Sequence, residues 1–329
     1  MDLKILINQL GLSYSPVCNY DFTLLKKDPE VKDIFENSNL YVVAQRPQIR
    51  FDNIVNNTES NSLEFEIRQT NNPHFLKCSL PIFQKNIATR KDYPVFLYLG
   101  SNDENNILKE GLPINNVHGI KIYEDEEMNK FLIWLTPEKF LQNHWEKAIE
   151  ATIEGDVRNF TKYQVHYVGQ STKQDIWKRL TGHEKLQDIL SLEYPFAFGS
   201  LPTHEIAILL FEFRGNMQMN TIGDDISDED MLDFVTGKLP DTRTMYLDAE
   251  KALINSMQPK YNDELFNKYP KSKDGLSSHN FTSISYTLTD PITLVYKAGE
   301  IEGGLNHLGG DTILIKNNKT VELVKAARK

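Results

Sequence analysis

Two separate stretches of the sequence carry side chains of the types and spacing that phosphate chemistry asks for. In Tyr163 to Leu190, YQVHYVGQSTKQDIWKRLTGHEKLQDIL, Arg179 and His183 stand four apart, which on a helix sets a fixed cation beside a titratable imidazole. Gly169 lies before them, where backbone or substrate can approach closely. In Thr244 to Asp263, TMYLDAEKALINSMQPKYND, Glu250 lies at the edge of an apolar stripe and Asn262 follows in an irregular segment. A carboxylate so placed suits a metal ligand, with the amide as its polar support.

The elements that must position these residues follow from periodicity. A short strand, Val165 to Gly169, breaks at the glycine and leads into a helix whose apolar residues are Ile176, Leu180, Leu186, Ile189 and Leu190. Met245, Ala249, Ala252, Leu253 and Met257 predict a second helix that Pro259 ends. Thr136-Pro137-Glu138 is a helix start, with Thr as N-cap, and predicts a helix to about Ile153. Before it, Ile120–Tyr123 and Phe131–Leu135 predict a hairpin, and Glu205–Phe213 predicts a buried strand. The acidic run Asp224–Phe234 reads as a solvated helix start, since it lacks the ligand spacing of a calcium loop.

At 329 residues the chain exceeds one ordinary core. Residues 1–115 read as an N-terminal mixed, β-rich recognition or partner module, with the asparagine-rich Ser101–Asn116 as linker. Residues 116–265 hold the chemistry, and residues 266–329 read as a small C-terminal β module with a hairpin at Asn317-Asn318. The net charge of −10 excludes a protein that coats nucleic acid indiscriminately, because counterion release rewards a basic excess. Any nucleic-acid contact must be local. The absence of a long apolar run or a signal-like start, and two cysteines (Cys18, Cys78) without metal spacing, predict a cytoplasmic protein with no membrane contact and free thiols.

Tyr167-Val168-Gly169, then Gln170-Ser171, Arg179 and His183, resemble the YIG half-motif and its continuation in the GIY-YIG nuclease superfamily. Glu250, Leu253-Ile254, Pro259 and Tyr261-Asn262 are similar to the closing pattern of that family. The resemblance spans about a hundred residues in matching order. No GIY tripeptide lies on a strand about ten residues upstream. Gly119-Ile120-Lys121 with Tyr123, or the strand FLIWL with Trp134 in place of tyrosine, are the nearest candidates, and Tyr163, two strand-steps from Tyr167 and therefore on the same face of the sheet, is an internal substitute.

The resemblance implies an α+β fold, a small central mixed or antiparallel sheet flanked by helices. It implies a metal-dependent endonuclease acting on DNA, RNA being left open, and the acidic charge suits a selective restriction or phage-defence enzyme. Arg179 would hold the scissile phosphate, and Glu250 would carry Mg²⁺ or Mn²⁺ to stabilise the leaving oxygen. Tyr167 and His183, with Tyr163, would position or deprotonate water, while Gly169, Ser171, Lys178 and Asn262 would contact nucleic acid. A homodimer is compatible with this. Two other functions fit the sequence: an inactive nucleic-acid-binding protein on a nuclease fold, suggested by the missing tyrosine, and an interaction or regulatory protein without nucleic acid, suggested by the charge.

Overall fold

The computed structural model describes residues 3–25, 28–36, 38–90, 94–101, 113–172, 176–181, 184–197, 202–220 and 239–328. The chain forms two compact units, one of Met1–Arg46 with Lys162–Lys329, the other of Pro47–Thr161. The chain begins with β1 (Lys4–Leu12), β2 (Val17–Cys18), α1 (Asn19–Leu25), α2 (Pro29–Glu36) and β3 (Leu40–Pro47). The other unit then supplies β4 (Ile49–Asn57), β5 (Ser62–Gln69), β6 (Phe75–Pro81), β7 (Phe96–Ser101), β8 (Val117–Tyr123), β9 (Phe131–Leu135), α3 (Pro137–Trp145) and β10 (Thr152–Glu154). The first unit resumes with β11 (Lys162–Gln170), α4 (Ile176–Thr181), α5 (Glu184–Leu192), β12 (His204–Asn220) and α6 (Thr242–Met257). It ends with β13 (Ser283–Leu288), β14 (Thr293–Tyr296), β15 (Gly299–Glu302), β16 (Thr312–Lys316) and β17 (Thr320–Val324).

The larger unit is built on a ten-stranded sheet in the order β15, β14, β11, β3, β12, β1, β13, β16, β17, with β2 paired to β12. This overturns the expected α+β architecture of a small central sheet flanked by helices. The reason lies in strands from both chain ends. β13 pairs parallel with β1, and β14 parallel with β11. Residues Lys4–Leu12 and Ser283–Leu288 each have an apolar face, and those faces are buried in one core with α6. The last strands therefore extend the main sheet, and residues 1–46 supply two of its inner strands. Among these, β3 is buried almost throughout, as its near-continuous LYVVA run requires.

Helix α6 is bounded by Asp241, whose side chain accepts from the Thr244 amide, and by Gln258 in the left-handed conformation just before Pro259. Its buried Asp248 accepts from the hydroxyls of Tyr269 and Tyr286, both at 2.7 Å, and from the Leu276 amide at 2.8 Å. These three bonds pin the helix two residues from Glu250.

The smaller unit is a seven-stranded sheet, β10, β6, β5, β4, β8, β7, with β9 on β8, around a core that includes Phe51, Phe65 and Phe140. β8 and β9 form the expected hairpin. α3 starts at the predicted cap, the Thr136 hydroxyl accepting from Lys139 N, but stops at Trp145 instead of near Ile153. Lys147 has a φ of 58°, which ends helical propagation. Most of Ser101–Asn116 and all of Asp224–Phe234 lie outside the described residues. Among the described residues no helix is long and apolar enough to cross a membrane.

Candidate active site

β11 and β3 are antiparallel neighbours, with Gly169 opposite Tyr41 and Tyr167 opposite Val43. The two tyrosine rings approach to 6.1 Å, tilted by 32°. Gly169 makes this arrangement feasible. A Cβ there would come within 2.6 Å of both the Tyr167 and the Tyr41 rings, so a larger residue would drive the pair apart.

Arg179 comes from α4 and joins the pair. Its Nε donates to the Tyr41 hydroxyl at 3.2 Å, and a terminal guanidinium nitrogen donates to the Tyr167 hydroxyl at 3.4 Å. One planar fork thus reads two hydroxyls on two strands. Burial, and then the neighbouring Tyr167, raise the Tyr41 pKa well above the usual phenol value despite the opposing pull of Arg179. The Tyr41 phenol is protonated at neutral pH.

Glu250 faces the same cavity from α6. The cavity has a volume of about 530 Å³, and its walls carry the cations Lys178, Arg179 and Lys185 and the acids Glu184, Glu250, Asp263 and Glu264, with Tyr167 and Asn262. Burial pushes the Glu250 carboxyl up to about 7; Lys251 and Arg179 pull it down, while Asp274 and Glu264 add to the rise. A half-buried carboxylate whose proton leaves only near neutrality is a group in want of a cation. Among the described residues no cluster of three His, Cys, Asp or Glu side chains surrounds it. The donor set is one hard oxygen ligand in a polar, roomy cavity, which fits Mg²⁺ or Mn²⁺ retaining most of its water.

Asn262 covers the flank of β11 beyond Lys162–Gln164, the residues that pair with β14. Its side chain accepts from Val168 N at 3.0 Å and donates to Val168 O at 2.8 Å, and Tyr261 N donates to His166 O at 3.1 Å. The segment after α6 therefore docks on the strand as a short substitute for a neighbouring strand. It is also tied to α5, by Lys185 to Asp263 at 2.9 Å and by Lys260 and Tyr261 to Glu193.

The expected site residues thus divide. Tyr167, Arg179, Glu250, Lys178 and Asn262 line one cavity, and Gly169 shapes it. Ser171 instead bonds backward, its hydroxyl to Ser38 O at 3.0 Å, and secures the start of β3. Its expected nucleic-acid contact is replaced by this internal bond. Tyr163 is packed in the core with the Arg46 guanidinium 5.3 Å from its ring centre, so it does not substitute for a catalytic tyrosine. The alternation that would put it with Tyr167 fails because β11 has a register shift between Val165 and Tyr167, with His166 as the extra residue. His183 lies outside the described residues.

Tyr123 and Trp134 lie on β8 and β9 of the seven-stranded sheet, whereas β11 belongs to the ten-stranded one. The residue that sequence reasoning missed is Tyr41. Its signal was the strand run Leu40–Val43, which lies on the far side of residues 47–161 from Tyr167. No protein-family model, curated protein or solved structure matches the chain.

Proposed function

We propose that the chain is a divalent-metal-dependent endonuclease that hydrolyses DNA phosphodiester bonds in the cavity of Tyr167, Arg179 and Glu250, with Tyr41 buried behind the guanidinium and a GIY-YIG-like set of residues. One observation carries this: a single guanidinium bonded to tyrosines of two paired strands, with a proton-hungry carboxylate across the same cavity. On this reading Tyr41, on the strand paired with β11, stands in for the first tyrosine that the resemblance asks for.

Hydrolysis of a phosphodiester needs a neutralised non-bridging oxygen, an aligned water and a stabilised leaving oxygen. Arg179 supplies a permanent planar charge for the non-bridging oxygens. The Tyr167 hydroxyl orients the water, and the wholly buried Tyr41 hydroxyl positions the guanidinium that bonds both. Lys178 and Lys185 offer charge to flanking phosphates. Glu250 would hold the ion; Mg²⁺ or Mn²⁺ there contributes charge stabilisation of the leaving 3′-oxygen. Cys18 and Cys78 form no disulfide, which suits action in the cytoplasm, in a restriction or phage-defence role.

The test is cleavage of supercoiled plasmid by the purified full chain with Mg²⁺ or Mn²⁺. Arg179→Ala and Glu250→Ala should each slow cutting by about 10²- to 10³-fold. No cutting of DNA with any divalent ion, or equal cutting by Glu250→Ala, rejects the proposal.

A further inference from the structure

Beside the cavity, on the segment leaving α5, aromatic rings stand at the surface where the hydrophobic effect alone would not leave them. Phe196 is 82% exposed and Tyr194 41%. The Tyr194 ring lies on His204, with centroids 4.1 Å apart and planes within 15°. Tyr194 has a φ of 50°, a left-handed conformation that a bulky residue adopts only when its surroundings impose it.

Thr203 imposes it. Its amide donates to Tyr194 O at 2.7 Å, and its hydroxyl lies 2.9 Å from His204 Nδ1. Pro195 and Pro202 bridge across the same loop base. The backbone is thus held in a strained state that keeps a ring outward and fixes the imidazole beneath it. Burial lowers the His204 pKa below the usual imidazole range, so this ring presents an uncharged face at neutral pH.

The rings adjoin the cavity through His166. The His166 ring is 6.5 Å from Tyr194 and 6.1 Å from Tyr261, and Tyr261 precedes Asn262 of the cavity wall. Lys260, ion-paired with Glu193, lies 5.2 Å over the Tyr261 ring centre, and Lys178 and Lys185 line the cavity beyond, Lys185 paired with Asp263. Flat exposed rings beside a phosphate site are a combination with which proteins hold unpaired nucleic acid: here Arg179 takes the phosphate and bases stack on the rings. From Tyr194 to Tyr261 by way of His166 is at most about four nucleotide steps of roughly 3.4 Å.

We propose that Tyr194, backed by His204 and flanked by Phe196, is a stacking platform for an unpaired DNA base within a few nucleotides of the phosphate held by Arg179. The assignment rests on the cavity taking a DNA phosphodiester, and it narrows the substrate to DNA with an unpaired stretch, such as a branch, a mismatch or a single strand. Fully paired duplex offers no free base face to the platform.

The test measures binding of the full chain to a single-stranded DNA oligonucleotide and to the same oligonucleotide with abasic sites, at fixed salt, by fluorescence anisotropy. The native chain should bind the base-bearing strand about five- to a hundredfold more tightly. Tyr194→Ala should abolish that preference while leaving abasic binding unchanged, and Tyr194→Phe should keep it. Phe196→Ala, at a surface position, should reduce the preference even if Tyr194→Ala fails to fold. Equal binding of the two strands by the native chain, or an undiminished preference in both Tyr194→Ala and Phe196→Ala, overturns the platform. Base-dependent binding without cleavage in any divalent ion retains the platform and rejects the nuclease; cleavage without base dependence does the reverse.

Discussion

Replacing Glu250 by glutamine should make the protein more stable at alkaline pH and leave it unchanged in acid. The folded carboxyl titrates at about 7 against 4.5 when free. Between those values the folded chain keeps a proton that the unfolded chain has released, so stability falls as pH rises across this window and the full penalty stands above pH 7. At 1.36 kcal/mol per pH unit the difference corresponds to about 3 kcal/mol, and solvent screening of a half-buried group reduces this to about 2 kcal/mol. Glutamine keeps the shape and never ionises. At pH 8 its melting temperature should exceed the native one by roughly 3 to 5 °C, and the gap should close below about pH 4.5. Calorimetric melts from pH 4 to 8.5 measure this, and Mg²⁺ added at pH 8 should raise the native melting temperature but not that of Glu250→Gln. A variant that is no more stable than the native chain at pH 8, or an offset independent of pH, would show that Glu250 bears no desolvation penalty.

Tyr41→Phe removes one acceptor of the Arg179 fork and keeps the ring, so the melting temperature should hold while plasmid cutting falls by about 10²-fold; unchanged cutting would reduce Tyr41 to a packing residue. Asn262→Ala strips the edge of β11 of the bonds to Val168 N and O, each costing about 1 to 3 kcal/mol when unreplaced. Hydrogen exchange at the Val168 amide should quicken by at least about tenfold, and unaltered protection there would mean that water replaces the amide without loss.

What could be read from the sequence was local. Arg179 with Tyr167, and Glu250 with Asn262, are each set by one strand, one helix or one turn, so their residue spacing carried the information. The Asn317-Asn318 hairpin is similar: both asparagines have a φ of 51°, as a tight turn between β16 and β17 needs. What could not be read depended on pairing between distant segments. No local rule tells β13 to lie parallel to β1, or β14 to β11, and those pairings turn an expected small sheet into ten strands. Tyr163 failed for a different reason: one bulged residue, His166, reverses a period-two pattern, and nothing in the letters YQVHY announces it.

Tyr41 shows why distance along the chain hides a site without weakening it. β3 and β11 pair with Gln45 opposite Gln164, so the chain leaves the larger unit at Pro47 and returns at Lys162 at almost the same place. Topologically, residues 47–161 are the loop of a hairpin. The entropy of closing a loop grows only as the logarithm of its length, so a flexible connection of roughly 115 residues costs about 3 kcal/mol more to close than one of four. An insert folded on its own core costs less, because its two ends are already held near each other. The Tyr41, Tyr167 and Arg179 geometry can therefore survive an insertion of this size, since Gly169, the cross-strand register and the guanidinium fork all lie outside it. A search for the partner tyrosine near Tyr167 in sequence is defeated by the same insertion, whereas the strand pairing retains it.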